Sequence, residues 1–351
     1  MLSLDVPFVP DEDYPDFLAQ HAATLTSVHF SLYDQRLADS RHRLKSPDLD
    51  KIITGLTQLE GVDKFVLMNA RLHAPGRYFG KIGLDETALR LEQLLEKIDL
   101  SGVIFADPYF LQALSDAHPD LASNLEAVPS VNCMLDSPGR LFAIIAMIAE
   151  TAFKAPSRIV PDRALNRKPA RLEKVVNAVR SLYPTINIHL LANEGCLLQC
   201  PYKSAHDAHI SLVNEGLCQE QTFAMNHDLG CVRRLLQDPG LMLASPFIRP
   251  EDVLEYEGQI DGLKLCGRTK GVPFLKRAIT AYLDGSYTGN LLDLMDAMGD
   301  LADRVYIPNR ELPDQLFTKV TTCDKNCTAC GWCDGVMNSV AEHFVPTLSR
   351  M

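Results

Sequence analysis

The chain is expected to fold as an α/β protein, a (β/α)8 TIM-like barrel over residues 1–310 with a C-terminal cysteine-rich metal-binding tail over residues 311–351. Three observations predict this. Eight short apolar runs alternate with amphipathic stretches, the pattern of strands covered on both faces by helices. No Gly-rich phosphate fingerprint follows the first run, which removes the usual reason to prefer an open doubly wound sheet, the runner-up. The alternation stops near residue 310, where the chain becomes short in periodicity and dense in cysteine.

The strand candidates, in order, are LSLDV (2–6), SVHFSL (27–32), KFVLMNA (64–70), GVIFAD (102–107), AVPSVNC (127–133), SRIVPD (157–162), INIHLLAN (186–193) and DGLKLCG (261–267). Between them, ETALRLEQLLEKI (86–98) and ARLEKVVNAVRSL (170–182) carry apolar residues at helical spacing. LFAIIAMIAETAF (141–153) is the most apolar run. It is shorter than the ~20 residues that span a bilayer and reads as a buried core helix, so no membrane span is expected. The N-terminal MLSLDVPFVPDEDY is acidic, lacks a basic region and does not read as a targeting segment. A cytoplasmic protein is expected.

The net charge is −11, so a large nucleic-acid footprint is not expected. The basic stretch from Arg158 to Arg180 is local. It reads as a solvated helix face or as part of an anionic ligand or partner site.

In a (β/α)8 barrel, chemistry sits at the C-terminal ends of the strands. Those ends carry Asp5, Tyr33, Asn69 with Arg71 and His73, Asp107, Asn132 with Cys133, Asp162 with Arg163, Asn193 with Glu194, and Cys266 with Arg268. Asp107, Asp162, Glu194 and Arg268 are therefore candidate catalytic residues. The plain alternative is that strand ends are always more polar than strand middles.

Ten cysteines, most of them in two groups, point to metal rather than disulfides in a reducing compartment. The first group is Cys196-x3-Cys200, followed by Cys218 and Cys231, and it begins where the seventh strand ends. Pro201 suits the first position of a helix, whose free N–H groups and dipole stabilise thiolate. Four thiolates suit an iron–sulfur cluster or structural zinc. The wide spacing of the last two thiols and their place at a barrel mouth favour the cluster. Cys266 is an alternative ligand to Cys218 or Cys231. His206 and His209 share a helix face and are candidates for proton transfer, the alternative being a helix cap and a surface histidine. Arg249, Lys264 and Arg268 are candidate binders of a carboxylate ligand, since Arg forks hold carboxylates in a bidentate way. Arg249 is as readily explained by a pair with Glu251.

The stretches NEGCLLQCP (193–201), SPFIRPEDVLEYEG (245–258) and IDGLKLCGRTK (260–270) make the chain resemble the family historically labelled peptidase U32. The resemblance covers most of residues 1–310, and the cysteine spacing departs from that of the best-known members. It implies a barrel with a [4Fe–4S] cluster held by four cysteines. It also implies oxygen-independent hydroxylation of a small molecule or an RNA base, in several members with prephenate as oxygen donor. Protease activity has been claimed for some relatives. The residues themselves fit a peptidase poorly, with neither Gly-x-Ser-x-Gly nor His-Glu-x-x-His. Cys133, the isolated thiol besides Cys266, reads first as a small buried hydrophobe.

The second group is Cys323-x3-Cys327-x2-Cys330-x2-Cys333. Its first three members have radical-SAM spacing, but they lie after the barrel is finished. The compact run is closer to a ferredoxin-type ligand set, so a second [4Fe–4S] cluster is expected, with zinc as the alternative. The combined expectation is an iron–sulfur protein for oxygen-independent redox modification, foremost hydroxylation, of a small-molecule or RNA-base substrate, served by a sister Fe–S subunit or an electron donor. The rivals are a radical-SAM-like enzyme using the tail thiols, a non-catalytic Fe–S partner subunit, and a metal-independent peptidase.

Overall fold

Each of the eight apolar runs becomes a strand: β1 (Ser3–Phe8), β2 (Leu25–Phe30), β3 (Asp63–Met68), β4 (Gly102–Phe105), β5 (Glu126–Pro129), β6 (Arg158–Ile159), β7 (Asn187–Leu191) and β8 (Gly262–Lys264). The computed structural model describes residues 2–343 apart from 12, 39, 41–44 and 46. The strands are parallel and ordered β5-β4-β3-β2-β1-β8-β7-β6. The two edges meet through a parallel bridge between Glu126 and Lys154, just ahead of the two-residue β6, so the barrel is nearly closed. The open-sheet alternative therefore does not hold.

The apolar side chains of the strands alternate between two destinations, as a period of two requires. Val6, Val28, Val66, Val103, Ile188 and Leu263 pack outward against the helices in the main core. Phe65, Leu67, Ile104 and Val128 form a separate apolar cluster, the inward layer of β3, β4 and β5. The helices follow the sequence pattern closely, with Lys81–Lys97 and Pro169–Leu182 among them. The most apolar run lies mainly in the helix Pro138–Ala149. Among the described residues, no helix is long and apolar enough to cross a membrane.

The tail is more helical than its sequence suggests, with helices at Leu316–Thr322, Cys327–Cys330 and Trp332–Val340. Its Leu316, Val320, Val336 and Met337 share one apolar core with Leu197, Met242, Phe247 and Leu291. A short antiparallel pair, β9 (Val305–Tyr306) with β10 (Glu342–His343), ties it down further. One close approach is at Gly240. Its backbone N–H donates to Asp334 Oδ1 at 3.2 Å, and a Cβ there would lie 2.2 Å from the same oxygen. Only glycine lets the tail seat this deeply.

Candidate functional site

The barrel interior carries charge that the sequence reading passed over. Asp5, His29, Arg158, His189 and Lys264 are all buried. Their strand neighbours pack in the outer core, so these side chains point inward from β1, β2, β6, β7 and β8. Asp5 accepts from Lys264 Nζ at 2.8 Å and meets His29 Nδ1 at 2.7 Å. The Arg158 guanidinium lies 4.0 Å from the Phe65 ring centroid, a cation–π contact at the border with the apolar half of the lumen. Gly262 leaves room for His189, whose Nε2 would be 2.8 Å from any Cβ there.

This cluster is complementary within itself. Burial alone would raise the Asp5 carboxyl, but Lys264, His29 and Arg158 outweigh it and hold it well below its usual range. Burial pushes both histidines down to about 4, with Lys264 adding to the effect on His29 and Arg158 to that on His189. Lys264, expected among the carboxylate binders, is thus placed inside the barrel and paired with Asp5. Arg268 lies within electrostatic reach of His29, at the lumen's upper end. Arg249 is buried and pairs with Glu251 at 3.4 Å.

Above the lumen, the ends of β6, β7 and β8 converge. Asn193 is fully buried and joins β7 to β8 like an added rung: its Oδ1 accepts from Cys266 N at 2.7 Å and its Nδ2 donates to Cys266 O at 2.9 Å. Glu194 is ion-paired with Arg163 and accepts from the Cys196 thiol at 3.1 Å. Burial works against the Arg163 charge, but Glu194 and then Cys196 outweigh it and keep the guanidinium protonated. The Cys196 thiol is pushed well up by burial and then by Glu194. Cys266 is pushed up by burial, then by Asp296 and Glu194. Asp162 caps the turn Arg163–Arg167, accepting from Ala164 N at 2.8 Å, and so fixes where Arg163 points.

The helix Lys203–Asn214 begins two residues beyond Pro201 and straps the mouth. Its Asp207 binds Arg71 of the β3 loop at 3.0 Å and also Lys203, whose Nζ reaches Asn132 after β5 at 3.1 Å. On the far side of the mouth, Asp107 caps the helix Pro108–Ala117 through Tyr109 N and Phe110 N. Its other oxygen holds His73 Nδ1 at 2.8 Å and the Tyr78 hydroxyl at 2.7 Å. Tyr78 was not among the expected site residues, and nothing local in the sequence marked it.

The first thiol group is divided. Cys200 is an electrostatic neighbour of both Cys196 and Cys231. Cys218 lies elsewhere, its Sγ 3.7 Å from His209 Nδ1. His209 and His206 line a small cavity with Tyr202, Met225 and Leu229. The tail thiols behave differently: Cys323, Cys327, Cys330 and Cys333 all line one pocket, beside Asp238 and Trp332. The Cys333 thiol is pushed up to about 12 by burial and then by Cys327, Cys323 and Cys330. Cys327 is raised by burial and then by Cys323. Among the described residues, no group of three or more ligand side chains is drawn close enough to hold a metal ion.

Cys133 does not look like a nucleophile. Its thiol donates toward Phe105 O at 3.7 Å, and burial pushes it up to about 12.

No family model matches the chain. Over 243 residues, 68% of its length, it is 28% identical to a protein of Methanocaldococcus jannaschii described as the uncharacterized protease MJ1657. The match spans just under two thirds of that protein, 66% of its length. Among solved structures, the chain is similar to the U32 peptidase Mk0906, with a TM-score of 0.50 and 14% identity over 76% of this chain and 93% of the other. The fold is thus the one the resemblance implied.

Proposed function

We infer that this chain, a member of the peptidase U32 family by its sequence motifs and its fold, is an iron–sulfur protein for oxygen-independent redox modification of a small molecule, most simply a hydroxylation. The observation that carries this reading is the set of four tail thiols on one pocket. Their donor chemistry fits a soft metal centre, because thiolate selects iron–sulfur clusters and zinc over hard cations. Such a centre, when bound, would supply one-electron transfer.

The chain's own residues would prepare the substrate side. Glu194 and Arg163 keep opposite charges at the mouth beside Cys196 and Cys266. Asp207 anchors the helix over the mouth by binding Arg71 and Lys203, limiting solvent entry from that side. Arg268, at the upper end of the charged lumen, suits an anionic group on the substrate. The half-buried, hydrogen-bonded Cys133 and the missing peptidase motifs argue against a metal-independent protease.

A second reading is favoured by one observation. The pocket that the tail thiols line has only about 30 Å³ of space, which suits a single ion better than a cuboidal cluster. That would make the tail a structural zinc site. Anaerobic reconstitution followed by visible absorption and EPR of the reduced protein separates the two. A brown chromophore and a cluster signal lost in Cys330→Ser are expected. A colourless protein with stoichiometric zinc would refute the redox reading.

A further inference from the structure

The basic stretch Arg158–Arg180 is only partly used by the site above. Arg158 turns into the lumen and Arg163 pairs with Glu194. Arg167, Lys168 and Arg171 instead line a groove at the start of the helix Pro169–Leu182, with about 410 Å³ of space. The opposite wall is Cys323 and Lys325 of the tail, and Gln199, next to Cys200, lines it as well. Four cationic side chains line the groove against one carboxylate, Asp324.

Lys325 gives its Nζ to Val320 O and, at 3.3 Å, to Cys323 Sγ; the other three carry the groove's cationic character. Among the described residues no ion pair holds the Lys168 ammonium, and burial, then Arg171 and Lys325, pulls it below its usual range. Arg171 reaches Asp136 at 3.2 Å but stays nearly half exposed. Arg167 is 2% exposed and gives Nε to Ser245 O at 2.8 Å and Nη2 to Phe247 O. Its Nη1 has no hydrogen-bond partner among the described residues. The Tyr256 hydroxyl donates its proton to Asn166 O at 2.6 Å and its oxygen accepts from the same guanidinium. The helix itself starts without a side-chain cap and without an acidic residue in its first turn. A cationic groove against an uncapped helix start is the arrangement that suits a doubly charged oxyanion.

We propose that this groove binds the phosphate group of a small phosphorylated molecule, whose remaining part lies toward Cys323 and Gln199. The groove follows the sixth strand on the face where barrels of this type place their ligands. The local extent of the basic surface, in a chain of net charge −11, favours a small ligand over a polyanion. The residues that the test alters, Lys168 and Arg171, lie outside the tail.

The test is isothermal titration of the protein as purified, at low salt, with inorganic phosphate and with glycerol phosphate. Lys168→Gln/Arg171→Gln is compared with Arg180→Gln, which lies at the far end of the same helix. Glycerol phosphate should bind, about tenfold or more weakly in the double variant and unchanged in Arg180→Gln. Melting in phosphate-free buffer shows whether the double variant keeps its fold. If it does not, the single variant Lys168→Gln, expected to weaken binding in the same direction, takes its place. No binding by the wild type, or equal binding by a folded groove variant, would overturn the proposal. So would tighter, steeply salt-dependent binding of a single-stranded RNA oligonucleotide that the groove variant loses, since the ligand would then be nucleic acid.

Discussion

The barrel lumen and the tail pocket each bury several ionisable groups, but they differ in what they need. In the lumen, the single carboxylate of Asp5 is paired with both Lys264 and Arg158, and burial keeps both histidines uncharged at neutral pH. In the tail, burial and then Cys327, Cys323 and Cys330 push Cys333 upward, and burial and then Cys323 raise Cys327. The lumen cluster is paired around Asp5, with Arg158 Nε and Nη2 and His189 Nδ1 left without a hydrogen-bond partner among the described residues. A cluster of like groups gains from a cation at its centre. The difference is between charges paired within the fold and thiols that, on the proposed function, would take up a metal.

Acid should break the lumen first and with the largest effect. His29 and His189 have folded values near 4, depressed from about 6.5 in the unfolded chain. Between those values the unfolded state binds more protons, so stability is full above pH ~6.5 and is lost as pH falls toward 4. The loss is on the order of 3 kcal/mol per histidine as an upper bound. Asp5, also depressed, adds stability at neutral pH that is lost only as pH falls through its own lower folded value. Urea denaturation across this range should show the slope, reduced by roughly one proton in His189→Gln. A flat profile would mean that the histidines are not held neutral.

Metal should sharpen the tail's side of the comparison. Cys327→Ser should abolish the metal-dependent rise in melting temperature, about 4 kcal/mol if free metal stands roughly a thousandfold above Kd. Cys218→Ser, altering a thiol that lies beside His209, should leave that rise intact. Equal losses in both variants would show that the two cysteine groups act as one.

Smaller effects follow from how the two regions are fastened. Gly240→Ala forces a Cβ against Asp334 and should cost about 1–3 kcal/mol, seen as a lowered denaturation midpoint with faster amide exchange in Trp332–Val340. Asp207→Asn weakens the contacts to Arg71 and Lys203 and should cost about 1 kcal/mol. Its signature is faster exchange in the helix Lys203–Asn214, without change in the tail.

Much of the barrel was legible because buried parallel strands write themselves as apolar runs, and all eight runs became strands. The charged lumen was written in the same runs. LSLDV, SVHFSL, SRIVPD, INIHLLAN and DGLKLCG each place an ionisable residue between apolar neighbours. Read by alternation, Asp5, His29, Arg158, His189 and Lys264 had to face inward together. The common pocket of the four tail thiols was legible because short spacings keep them together locally. The positions of Cys218 and Cys231 were not, because they hang on a long connection whose path is set by tertiary packing. The seat of Asp334 on Gly240 joins positions 94 residues apart, and nothing local in the sequence encodes it.

The central claim is that the tail thiols hold a redox metal centre. Iron, zinc and acid-labile sulfide per chain, measured in protein purified without oxygen, test it most directly, with Cys327→Ser/Cys330→Ser as comparison. Iron with matching sulfide, lost from the tail in the double variant, is the predicted result. Stoichiometric zinc without sulfide, or metal content unchanged in the double variant, would contradict it.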